Sequence, residues 1–200
     1  MATPVEFYFD FSSPYGYLAS ERIDALAARH GRSVTWKPFL MGAVFKVTGT
    51  QPLVDIPMKG DYTRRDILRA AKAAGIRFTV PPGFPFMSVG ACRASYWAQD
   101  RDPAKAHALM QSLYRKAWAE GGDISKPGAV IAAAESVGFD GAEVEKAMND
   151  PAVKERLRLE VDGAMARGVF GSPYIIVDGE PFWGHDRLEM VDRWLATGGW

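Results

Sequence analysis

The chain opens on a near-continuous apolar, aromatic run, Val5-Glu6-Phe7-Tyr8-Phe9, which predicts a buried strand. The run breaks at Asp10-Phe11-Ser12-Ser13. Pro14 has the fixed φ of a first helical residue, which makes Ser13 the N-cap of a helix. Tyr17, Leu18, Ile23, Leu26 and Ala27 then recur at helical spacing until His30-Gly31 closes the element. Val34 to Phe39 alternates as a second strand, with Pro38 at its end. A strand, a helix long enough for a crossover and another strand predict a parallel pair. From Leu40 to Pro57, Gly42, Gly49, Pro52 and Pro57 punctuate what reads as a long surface loop, followed by Lys59.

From Asp61 to Arg167 the period is helical. Expected helices run from Asp61 to Ala74, Ser88 to Gln99, Asp102-Pro103 to Glu120 with a cap and a proline at its start, Lys126-Pro127 to Val137, Asp140 to Met148 and Asp150-Pro151 to Arg167. Val80-Pro81-Pro82-Gly83-Phe84-Pro85-Phe86 interrupts them as a proline-stiffened aromatic loop, suited to line a pocket or to cover the core. His107 falls on a face expected to be solvated. Strands then return. Tyr174 to Val177 is apolar and β-branched, Asp178-Gly179 is a hairpin turn, and Glu180 to Gly184 is the returning strand. His185-Asp186 precede a last helix whose inner face carries Leu188, Val191, Trp194 and Leu195.

Composition narrows the function classes. Lys+Arg and Asp+Glu are each 24, so the net charge of zero gives no basic surface for nucleic acid or an anionic membrane. No run reaches the roughly 20 apolar residues of a membrane span. The first residues do not read as a signal peptide, so the expected location is the cytoplasm. Cys92 is the only cysteine, which excludes an internal disulfide and a Cys-x-x-Cys redox pair. Its helical setting predicts a small buried hydrophobe. No metal site is expected.

Chemistry concentrates at Ser13. A strand that delivers a hydroxyl to a helix start also presents free backbone amides and the positive end of the helix dipole. Ser13 serves there as a cap, and the same position favours a docked anion.

Strand-helix-strand, a helical block, then strand-strand-helix is the order of a thioredoxin-like α/β fold with a helical insertion, of the DsbA and kappa-class glutathione transferase type. The boundaries expected are 1–59 and 168–200 for the thioredoxin-like part and 60–167 for the inserted helical part. Ser13-Pro14-Tyr15-Gly16 sits where thioredoxin-like oxidoreductases carry Cys-x-x-Cys, and Ser172-Pro173 sits where they keep a cis-proline. Four segments, Phe9 to Ala19, Ile56 to Gly60, Gly168 to Pro173 and Phe182 to Arg187, together resemble the 2-hydroxychromene-2-carboxylate isomerase family, relatives of the kappa-class glutathione transferases. The resemblance implies a homodimeric, glutathione-dependent isomerase of a small aromatic acid from aromatic-compound catabolism such as naphthalene degradation. Ser13 would face the glutathione sulfur, Ser172 beside Pro173 would pair with the cysteinyl backbone, Asp186 with His185 would receive the γ-glutamyl end, and Lys59 would meet the glycyl carboxylate. Thr50 stands where relatives tend to carry asparagine, and Ser172 where they often carry an apolar residue. Tyr15, Trp36, Phe84 and Phe86 are candidates for either an aromatic pocket wall or the core. A kappa-type transferase or peroxidase shares this glutathione site, and a non-catalytic thioredoxin-like binding domain is the remaining rival.

Overall fold

A computed structural model describes residues 3–200. Strands β1 (Val5–Phe9), β2 (Val34–Pro38), β3 (Tyr174–Val177) and β4 (Glu180–Trp183) form one sheet in the order β2-β1-β3-β4. β1 pairs parallel with β2 and antiparallel with β3, and β4 runs antiparallel to β3. Val5, Phe7 and Phe9 share one face of β1 and are fully buried, as a period of two requires. Glu6 and Tyr8 point to the opposite face, where Arg167 bonds to both and Lys37 lies 3.5 Å from Glu6. Asp178 and Gly179 both have positive φ, which gives the β3–β4 hairpin its tight turn.

The crossover is two helices, α1 (Pro14–Ser20) and α2 (Ile23–Arg29), where the periodicity predicts one. The Ser20 hydroxyl bonds back to Tyr17 O at 2.8 Å, and Glu21 N reaches the same carbonyl at 3.3 Å. Back-bonding of this kind bends helices, and the axis breaks at Glu21 and Arg22.

The expected loop after β2 also needs correction, because it contains α3 (Met41–Thr48) and a short 3-10 turn at Leu53–Asp55. Gly42 and three β-branched residues make α3 locally weak. Its first amide is capped from outside, by Asp10 Oδ2 on Met41 N at 2.8 Å, and Val44 is buried beneath it.

The insertion consists of α4 (Lys59–Ala74), α5 (Val89–Gln99), α6 (Pro103–Trp118), α7 (Pro127–Ser136), α8 (Gly141–Asn149) and α9 (Pro151–Ala166), and α10 (Leu188–Thr197) closes the chain. Asp102, Asp140 and Asp150 cap their helices through side-chain oxygens. Buried aromatic side chains of α5 and α6 reach the ends of the central strands. Tyr114 donates to Asp10 O at 2.9 Å, Trp118 Nε1 to Phe11 O at 2.8 Å, and Tyr96 to Pro38 O at 2.7 Å. His107 is half-buried and bonds Asp24 Oδ2 at 3.0 Å, so its face of α6 is not simply solvated. Cys92 is fully buried, and burial raises its thiol well above the usual range, as expected of a core residue.

Trp36 is a core residue, only 2% exposed, and does not face an open pocket. Phe7 and Phe9 meet its ring edge-on at 5.1 and 5.3 Å, and its indole N–H donates to Asp24 at 3.1 Å.

Gly16 lies on α1 where that helix meets α6. A Cβ there would sit 2.4 Å from the Tyr114 hydroxyl, which is itself held on Asp10. Gly16→Ala should therefore destabilise by about 1–3 kcal/mol through overpacking, even though alanine is intrinsically the better helix former by about 1 kcal/mol. A lowered urea midpoint at unchanged m-value is the expected result.

Candidate active site

The first helix begins on a hydrogen-bonded loop. Asp10 O accepts from Ser13 N at 2.9 Å, and the Ser13 hydroxyl accepts from Gly16 N at 3.0 Å as an N-cap. The same hydroxyl donates to Ser172 O at 2.8 Å. Ser172 Oγ in turn accepts from Asp10 N at 2.9 Å, so two opposed bonds tie the helix start to the loop before β3. The Ser172–Pro173 peptide bond is cis. Ser172 N–H has no hydrogen-bond partner among the described residues.

Asp10 organises this loop. Its buried carboxylate accepts from Ser12 N (2.9 Å), Ser88 Oγ (2.7 Å) and Met41 N (2.8 Å). Burial pushes its pKa up while these donors pull the other way. Every partner donates, an arrangement that suits the ionised form.

Tyr15 and His185 meet beside the helix start. Their rings stack at 5.0 Å between centroids and 5° between planes. The Tyr15 hydroxyl donates to Asp66 Oδ2 at 2.7 Å, and burial with this carboxylate raises the phenol pKa far above its ordinary value. The same bond lowers the pKa of Asp66, whose other oxygen meets Arg69 at 2.5 Å. His185 is half-buried, and that desolvation lowers its pKa against the attraction of Asp186 and Asp66. Asp186 is exposed and touches Arg187 at 3.3 Å.

Lys59 is the first residue of α4, exposed and without an ion pair among the described residues. Pro57-Met58-Lys59 forms a γ-turn with Lys59 N on Pro57 O at 2.8 Å and Met58 at φ 68, a rare conformation that fixes where the helix starts. Gly60 follows because a Cβ there would lie 2.4 Å from Val54 O.

The family model of the DSBA-like thioredoxin domain matches residues 4–196. The chain belongs to the DSBA-like family. It is 30% identical over 197 residues to the 2-hydroxychromene-2-carboxylate isomerase of Sphingobium xenophagum, covering 98% of this chain and 99% of that one. A solved structure of a 2-hydroxychromene-2-carboxylate isomerase superposes with a TM-score of 0.85 at 30% identity, covering 98% of this chain and 95% of that chain. Glutathione S-transferase kappa 1 of Homo sapiens is 26% identical over 213 residues, covering 96% and 92%. This likeness places the DSBA-like chain with the 2-hydroxychromene-2-carboxylate isomerases, which are enzymes, and relates it to the kappa-class transferases.

Within this DSBA-like fold, hydrogen bonds join Ser13 to Ser172, and stacking joins Tyr15 to His185. Thr50 is exposed, and its hydroxyl is engaged with Thr48 Oγ1 at 2.7 Å. Phe84 and Phe86 are half-buried against Trp118 at 5.0 and 5.8 Å, so they cover the core. The same loop also reaches the helix start, with Phe86 N donating to Ser12 Oγ at 3.2 Å. Asp10, Asp66 and Ser88 are missing from the sequence-based set. Tyr62, Asp66 and Arg69 share one helix face by spacing, a signal for a polar stripe on α4 but not for its contact with Tyr15. Two surface clefts lie elsewhere, about 420 Å³ beside Trp97 and Arg156 and about 590 Å³ beside Trp183 and Trp194. Acids and bases are intermixed in the first, and the second backs onto β4. The convergence of polar groups at Ser13 marks the chemistry better than either volume does.

Because the folded pKa of His185 lies below 6.5, the unfolded chain takes up a proton near that pH while the folded chain does not. This contribution to stability is complete above about pH 6.5 and is lost as the pH falls toward the folded value. His185→Asn should flatten that part of the profile, measured as the change in unfolding free energy between pH 7.5 and 5.5.

Proposed function

We propose that the protein is a glutathione-dependent isomerase that interconverts 2-hydroxychromene-2-carboxylate and trans-o-hydroxybenzylidenepyruvate. The observation that carries the glutathione part is the Ser172 amide, a backbone donor without a partner among the described residues, beside a cis-proline, in a residue whose carbonyl accepts from the Ser13 hydroxyl. Such an edge suits an extended peptide. These side chains fit a tripeptide carrying charges of both signs, since Lys59 is exposed without an ion pair among the described residues and Asp186 is exposed. The kappa-class names among the relatives support the same cofactor, and the isomerase names support the reaction.

When bound, glutathione supplies a thiol nucleophile for reversible addition to a conjugated double bond. Ser13 and the amides at the start of α1 favour the anionic form of a sulfur placed against them. The Ser13 hydrogen now rests on Ser172 O, so turning it toward an anion exchanges one hydrogen bond for a charge-assisted one. Ser172 holds the ligand backbone, Asp186 with His185 receives its amino-acid end, and Lys59 its far carboxylate. The 80–88 loop, pinned through Phe86 and Ser88, offers an apolar edge to a planar aromatic acid.

Calorimetry should show glutathione binding to the native protein, weakened on the order of ten-fold in Asp186→Ala through loss of a charge-assisted hydrogen bond. Ser13→Ala should raise the pKa of the bound thiol and cost about 1 kcal/mol of stability as a lost cap. Full recovery of free glutathione after turnover separates isomerisation from transfer. No binding by the native protein would overturn the proposal and leave the rival of a thioredoxin-like binding domain.

A further inference from the structure

The proposed site has a support that comes from the helical insertion. Asp66 lies in the middle of α4, and its carboxylate is oriented from both sides. Oδ1 meets Arg69 at 2.5 Å and the Tyr62 hydroxyl at 3.4 Å, which leaves Oδ2 aimed at the Tyr15 hydroxyl at 2.7 Å. Tyr15 is thus gripped at the end of its ring by a residue 51 positions away, while the face of that ring carries His185. Neither ring nitrogen of His185 has a hydrogen-bond partner among the described residues, although the side chain is half-buried. An imidazole without hydrogen-bond partners is aligned by the surface it lies on. A phenol ring free to swing about its χ angles would provide no fixed surface. One held by a charge-assisted hydrogen bond does.

We propose that Asp66 is a positioning residue of the glutathione site: through the Tyr15 hydroxyl it fixes the Tyr15–His185 stack and holds the unpartnered imidazole ready to donate to a ligand carboxylate. The binding half of this inference rests on the glutathione reading above, whereas the coupling of Asp66, Tyr15 and His185 does not. The α-carboxylate of a γ-glutamyl group is the acceptor that the neighbouring Asp186 implies, because Asp186 suits the ammonium on the same carbon. A group that carries both charges is then read by two consecutive residues, one of which is aligned from α4.

The test is a double-mutant cycle on the full chain with Tyr15→Phe, Asp66→Ala and both together, and Asp66→Asn as the conservative variant. The first readout needs no ligand: the ring-proton resonances of His185, which the stacked Tyr15 ring shifts. Tyr15→Phe and Asp66→Ala should each move them, the double variant should move them no further than Asp66→Ala does, and Asp66→Asn, whose amide oxygen still accepts, should leave them near the native position. The second readout is glutathione Kd, expected to rise on the order of ten-fold in either single variant and no further in the double. Unmoved His185 resonances in Asp66→Ala, or singles whose effects simply add, would overturn the proposal. Native protein that fails to bind glutathione would overturn the functional reading, while the His185 resonances would still decide the coupling.

Discussion

Where the central strands stop, their last carbonyl oxygens face the interior, and a buried carbonyl needs a donor. The structure meets this requirement with side chains from the insertion. Tyr114 and Trp118 of α6 serve Asp10 and Phe11 at the end of β1, and Tyr96 of α5 serves Pro38 at the end of β2. These large aromatic groups also fill the space between the sheet and the helices, so a single set of residues satisfies the polar groups and packs the core. The insertion is thus bonded into the end of the sheet beside the Ser13 loop.

This attachment continues into the Ser13 loop. Asp10 is its centre: its carbonyl holds Tyr114 and Ser13, its amide holds Ser172, and its carboxylate holds Ser12, Ser88 and the first turn of α3. Segments far apart in the chain therefore converge on one buried residue. An ionised carboxylate in that place is costly, and three donors offset the cost. The result is a helix start and a cis-proline loop joined by hydrogen bonds in both directions.

The Tyr15 side of the site follows a different logic. Its parts are half-exposed, and its order comes from a chain of contacts running from Arg69 through Asp66 and Tyr15 to His185. Electrostatics there are local. Desolvation lowers the pKa of His185 against the pull of the Asp186 and Asp66 carboxylates.

Much of this was legible in the sequence. The strands, the helix caps at Ser13 and Asp102 and the Asp178-Gly179 hairpin follow from local rules, because each depends on residues within a turn of one another, and the burial of Cys92 follows from its residue type. The family motifs also pointed to Ser13, Ser172 and Asp186. The pairing of β1 with β3, which sets the order β2-β1-β3-β4, joins strands far apart in the chain and came from the structure. Tertiary structure alone decided the rest. A remote cap from Asp10 makes α3 a helix, the aromatic cluster of β1 takes Trp36 into the core, and Asp66 reaches Tyr15 from another element. Periodicity reports which face of an element is apolar, but not which distant polar group will meet a given donor. In this protein, that pairing sets the site.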